Sequence, residues 1–143
     1  MTKSEFLDVS REYFKSIGFQ TLKKSKFFYE SEELVIRVYF MHSNFGEYYY
    51  IDYDIRLKKL HPDVQSIDYD VWDTIIAGRL THVDYLVLDK FQYLEDLKRL
   101  VQTHICPIMT NGTEYIKKLA KDRNALGTGI HFTADVRAKI LNL

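Results

Sequence analysis

Residues Leu34 to Leu57, LVIRVYFMHSNFGEYYYIDYDIRL, alternate in character so regularly that few folds can accommodate them. They read as a long β-hairpin. Side chains on a strand alternate faces, so every second residue shares a side. In the first arm Leu34, Ile36, Val38 and Phe40 form one apolar set, opposite Val35, Arg37, Tyr39 and Met41. In the second arm Tyr49, Ile51, Tyr53, Ile55 and Leu57 are the more apolar set, opposite Tyr48, Tyr50, Asp52, Asp54 and Arg56.

Parity then limits the register. The apolar set is even-numbered in the first arm and odd-numbered in the second, so paired residues must have numbers that sum to an odd value. An even sum would put Ile36 and Phe40 on the side of Asp52 and Asp54, and burying those carboxylates is too costly. A loop of two or four residues within His42–Glu47 satisfies this, with Asn44 or Gly46 available for positive φ. Arg37 then lies opposite Asp52 or Asp54, a cross-strand pair worth roughly 0.2–1 kcal/mol.

The second face carries Arg37, Tyr39, Met41, Tyr48, Tyr50, Asp52, Asp54 and Arg56. Antiparallel sheets commonly leave one face in water, and a charge ladder is the plain account of it. Tyr and Arg are also the residues most enriched at binding hot spots. Arg37, Tyr39, Tyr48, Tyr50, Asp52, Asp54 and Arg56 are therefore the candidate partner-binding residues.

Composition narrows the class. At 143 residues the chain fits one domain able to bury a substantial core. Apolar residues make up 46%, which excludes a disordered chain. Lys+Arg and Asp+Glu each number 20, so no net charge draws the chain toward nucleic acid or anionic membrane. No stretch approaches the ~20 apolar residues of a membrane span. The start, MTKSEFLDVS, has acids where a signal peptide needs an apolar run. One cysteine excludes an intramolecular disulfide and suits a reducing compartment. The expectation is a cytoplasmic protein.

Around the hairpin, residues 2–17 read as an amphipathic helix. Thr2 and Glu5 fit a capping box, Phe6, Val9, Ser10, Tyr13, Phe14 and Ile17 form its stripe, and Gly18 ends it. Phe19–Leu22 and Phe27–Glu30 are short strands joined by the turn KKSK, giving a four-stranded meander with the hairpin. Lys58–Asp70 is polar and reads as a loop. Trp72–Arg79 and Val83–Leu88 are extended candidates interrupted around Leu80–His82, with a helix over 71–80 as the alternative. Asp89 caps a helix carrying Tyr93, Leu94, Leu97, Leu100, Val101 and Ile105 up to Pro107. Asn111 with Glu114 marks another start, for a helix ending near Asn124, and Thr133 caps a short last helix with Val136, Ile140 and Leu141. The fold class expected is α+β, a mostly antiparallel sheet of about five or six strands with the N-terminal helix and C-terminal helices packed on one face.

The front half resembles the bacterial domain-of-unknown-function 4304 family. The matching features are Gly18-Phe19 after an amphipathic helix, Phe27-Phe28-Tyr29, and LVIRVYFMHSNFG followed by Tyr49-Tyr50-Ile51, with Gly78-Arg79-Leu80 corresponding to a later strand. The resemblance implies an α+β fold with an antiparallel sheet and brings no activity or ligand.

Chemical candidates are few. His104 and Cys106, two apart on a helix, point about 200° apart and cannot chelate together. Cys106 lies on an apolar stripe, which fits an inert thiol better than a nucleophile. Gly127-Thr128-Gly129 lacks the ending of a phosphate loop. His82 and Asp84 would share a face on a strand, as a base with its orienting carboxylate or as two ligands. Asp52 and Asp54, about 6–7 Å apart along a strand, could act as paired carboxylates, though Arg37 and Arg56 argue for neutralised pairs. No metal or cofactor is expected. Glu47, Asp52 and Asp54 beside the tyrosines would repel a phosphate backbone, so nucleic acid is not expected as a ligand. The leading expectation is a non-enzymatic protein-binding module of inhibitor or immunity type. The alternatives are a small hydrolytic or ligand-binding enzyme using His82/Asp84 or Asp52/Asp54, and a homodimer formed through the sheet face.

Overall fold

A computed structural model describes residues 1–67, 76–122 and 129–143. Its centre is the hairpin of β3 (Leu34–His42) and β4 (Tyr49–Leu57), nine residues each. Arg37 pairs with Asp54, Val38 with Tyr53 and Phe40 with Ile51. The odd sum holds along the whole ladder, and the four-residue loop is the one used. Ser43 N–H donates to the Tyr48 carbonyl at 2.9 Å, closing residues 44–47 as the turn.

The even residues of β3 and the odd residues of β4 accordingly enter one core. Leu34, Ile36, Val38, Ile51, Tyr53, Ile55 and Leu57 are all buried. β1 (Gln20–Lys23) and β2 (Lys26–Glu30) extend the sheet on one side, and β5 (Ile76–Val83) and β6 (Ile130–His131) on the other. The six strands run in the order β1 to β6, every neighbouring pair antiparallel. Both edges are blunted, which keeps unpaired backbone from templating a foreign strand. β1 ends in the lysine-rich turn, and β6 is two residues long.

β5 corrects two expectations. It runs unbroken through Leu80–His82, and Asp84–Leu88 is a turn, not the second half of an extended segment. The sixth strand is Ile130–His131. The reason is a bulge. Ile51 faces Thr81 and Asp52 faces Arg79, so Leu80 is the extra residue. Ile76, Gly78 and Leu80 point inward on even numbers, and after the bulge Val83 points inward on an odd one. That parity change mimics an interruption. Residues 68–75, including Trp72, and 123–128, including Gly127 and Thr128, lie outside the described residues.

Helix α1 (Lys3–Ser16) starts from the expected capping box. Thr2 Oγ1 accepts from Glu5 N–H at 3.1 Å, and Glu5 Oε1 accepts from Thr2 N–H at 3.2 Å. These bonds hold the Glu5 carboxyl below its ordinary value. Gly18, at φ 101, takes the left-handed conformation that lets the chain turn into Phe19. Phe14 of α1 stacks on Phe27, and Phe6 packs against Phe40, Tyr49, Tyr85 and Tyr93.

Helix α2 (Lys90–His104) is capped by Asp89, and α4 (Ala134–Leu141) by Thr133. α3 (Cys106–Lys121) begins with Pro107 in its first turn and is broken at Gly112, φ 59. Leu97, Val101, Ile105, Ile108, Ile116, Val136 and Ile140 join the same core as α1 and the inward face of the sheet. All the described helices thus lie on one side of the sheet.

Two buried tyrosines in that core differ in their hydroxyls. Ser10 Oγ donates to the Phe6 carbonyl and accepts from Tyr93 OH, both at 2.6 Å. Tyr53 OH is buried with no hydrogen-bond partner among the described residues. Burial pushes both phenols well above their ordinary value. Tyr93→Phe should therefore lower stability by about 1 kcal/mol, the usual net value of a hydrogen bond. Tyr53→Phe should be neutral or stabilising, because it removes a desolvated group that gains nothing. Urea denaturation of both variants checks this, and equal losses would contradict the assignment.

Candidate functional site

The outward face of the sheet carries no helix among the described residues. At one end a short segment does cover it. The chain leaves β4 through a 3-10 turn, Lys58–Leu60, and folds back so that Val64 and Ile67 rest on Phe28 and Val35. Arg56 lies beneath, buried, with Nη1 donating to the Val64 carbonyl at 2.7 Å. Arg56 is thereby removed from the exposed recognition surface expected of it. The alternation places it on the correct face, but nothing in the hairpin signals that residues 61–67 return over it.

Farther along, the same face carries two ion pairs. Arg37 grips Asp54 with two hydrogen bonds, Nε to Oδ1 at 2.8 Å and Nη2 to Oδ2 at 2.6 Å. Arg79, one strand over, grips Asp52 in the same way at 2.7 and 3.2 Å. Each carboxylate therefore has its own guanidinium. Arg79, not Arg56, neutralises Asp52, which is itself buried. The Asp52 bond raises the Arg79 pKa further. The signal for Arg79 is present in the sequence, since Ile76 and Leu80 pointing inward require Arg79 to point outward.

The Arg79 guanidinium also lies 3.9 Å from the centre of the Tyr50 ring, a cation–π contact. Tyr50 and Tyr48 meet edge to face at 5.4 Å, with their hydroxyls 3.2 Å apart. His82, opposite Tyr50 across the ladder, sets its ring edge to face with Tyr48 at 6.0 Å. Tyr39 is half-buried beside the two ion pairs, and burial first, then Asp54 and Asp52, raise its hydroxyl. Tyr48, Tyr50, Arg79, His82 and Met41 thus form one aromatic and cationic patch, with Arg37, Tyr39 and Asp54 beside it.

His82 and Asp84 do not share a strand face, because β5 ends at Val83. Asp84 is the first residue after β5, in a turn where its carbonyl accepts from Val87 and Leu88. Among the described residues no group of three His, Cys, Asp or Glu side chains could hold a metal ion. His104 ends α2 and Cys106 begins α3, and burial pushes the Cys106 thiol up. A groove of about 350 Å³ lies between α1 and α2, over Val9, Tyr13 and Leu94 and flanked by Asp8, Glu12, Lys90 and Lys98. It contains none of His82, Asp84, Asp52 or Asp54. No described helix is long and apolar enough to cross a membrane.

Fold and face together define an α+β protein: a six-stranded antiparallel sheet with helices on one side and, among the described residues, an aromatic and charged face without a helix on the other. No family model matches the chain, no curated protein matches it, and no solved structure matches it.

Proposed function

We propose that the protein is a non-enzymatic binding protein that recognises another protein through the outward face of its sheet, working as an inhibitor or immunity-type protein does. The observation that carries this reading is the Arg79–Asp52 and Arg79–Tyr50 arrangement. A guanidinium held by two hydrogen bonds and stacked on a ring is fixed before any partner arrives. Preorganised side chains lose less entropy on binding, and Tyr and Arg are the commonest hot-spot anchors. The same ion pairs weigh against acid–base chemistry by Asp52 and Asp54. Both oxygens of each carboxylate are engaged by a guanidinium, which leaves neither carboxylate placed to reach a substrate's proton.

Binding of the products of adjacent genes to the purified chain, measured by calorimetry, tests this. Tyr50→Ala should weaken a genuine partner by about 2 kcal/mol or more. Its effect on stability should be smaller, because Tyr50 is only half-buried. A partner that binds Tyr50→Ala and Arg79→Ala as tightly as the native chain would overturn the reading. So would turnover of a substrate abolished by Asp52→Asn or His82→Gln.

A further inference from the structure

Large apolar side chains seldom stay in water together on a protein that acts alone. Six are exposed among the described residues, and five of them gather at one end of the sheet. Phe45 is 91% exposed at the tip of the β3–β4 loop, and Met41 is 49% exposed on the strand leading to it. Leu86 at 60% and Val87 at 78% occupy the turn after β5, and Phe91 at 73% the first turn of α2. These pieces are neighbours in space. Tyr49 at the start of β4 pairs with Val83 at the end of β5, so the loop and the turn leave the sheet side by side. Tyr85 OH donates to Glu47 Oε2 at 2.6 Å, joining turn to loop. The N-terminal ammonium donates to the Tyr85 and Leu88 carbonyls at 2.8 and 3.0 Å, bracing the turn from the other side. The apolar side chains are therefore displayed on a supported platform.

We infer that this end of the sheet is where two copies of the chain associate. Three features favour a second copy as the occupant. The surrounding charges are of both signs, Lys3 and Lys90 with Glu47, Asp84 and Asp89, as a two-fold interface facing its own image requires. A chain of formal net charge zero offers no long-range repulsion against itself. The area also suffices: with ~150–250 Å² for an aromatic side chain, the five present on the order of 600 Å², near the ~800 Å² each partner contributes to a standard interface. This surface meets the recognition patch only at Met41, so the two can be tested apart.

Sedimentation of the full chain from about 1 μM to about 1 mM spans the affinities a patch of this size supports. The average mass should rise toward twice that of one chain. Phe45→Ser combined with Val87→Ser should hold it at one chain with an unchanged circular dichroism spectrum, because both side chains are exposed. Tyr50→Ala should dimerise like the native chain. A single-chain mass at every concentration would overturn the inference, as would a dimer that survives the double serine variant. Loss of the dimer in Tyr50→Ala but not in the serine variant would move the interface to the outward face, and would equally overturn it.

Discussion

Ile36→Asp should leave the protein unfolded at room temperature, whereas Asp54→Asn should leave it folded and measurably weaker. Ile36 is fully buried at the centre of the sheet, between Tyr29 of β2 and Ile55 of β4. Truncating a buried isoleucine costs about 2–5 kcal/mol. Aspartate adds the desolvation of a carboxylate among apolar neighbours. Together these approach the ~5–15 kcal/mol by which an ordinary domain is stable. Asp54 faces the other way, paired with Arg37 at side-chain exposures of 16% and 12%. Losing its charge weakens two charge-assisted hydrogen bonds, a cost of about 1–3 kcal/mol. Circular dichroism and urea titration separate the two outcomes, and equal melting of the two variants would mean that the faces are assigned the wrong way round.

Gly78→Ala should cost about 3 kcal/mol, the upper end for overpacking. A Cβ at this position would stand 2.6 Å from Cζ and OH of Tyr53 and 2.9 Å from the Gly129 carbonyl oxygen. The Tyr53 ring is buried, and the carbonyl belongs to the backbone leading into β6, so neither can swing aside. The measurement that identifies the obstacle is a double-mutant cycle with Tyr53→Leu. If the ring is the main barrier, the double variant should be more stable than the sum of the single losses predicts, by about 1 kcal/mol or more. Strict additivity would show that the carbonyl, not Tyr53, forbids a side chain at Gly78.

Much of the fold is legible in the sequence because its signals are local. Thr2, Glu5 and Gly18 fix both ends of α1 through hydrogen bonds and dihedral angles set within a few residues. Asp89 and Thr133 cap α2 and α4 in the same way. In the hairpin, alternation and parity confine the register without reference to any contact. The site is legible in part: Arg37, Tyr39, Tyr48, Tyr50 and Asp54 lie on the outward face as the alternation requires. Arg56 lies on that face too but is buried, because its cover comes from Val64 and Ile67, whose positions no pattern in β4 reveals.

Period-two alternation settles which residues of Leu34–Leu57 enter the core, since an apolar set of that period can be buried on only one side. Local hydrogen-bonding chemistry settles the helix caps, and a single cysteine rules out a disulfide within the chain. The four-residue loop, the bulge at Leu80 and the short strand at Ile130–His131 are not written in any one segment. Nor is the meeting of Arg79 with Asp52 and Tyr50. These depend on how β4 and β5 fit together across the sheet. Pairing energies between distant strands arise only once the chain has closed on itself, and they leave no periodic trace in either segment.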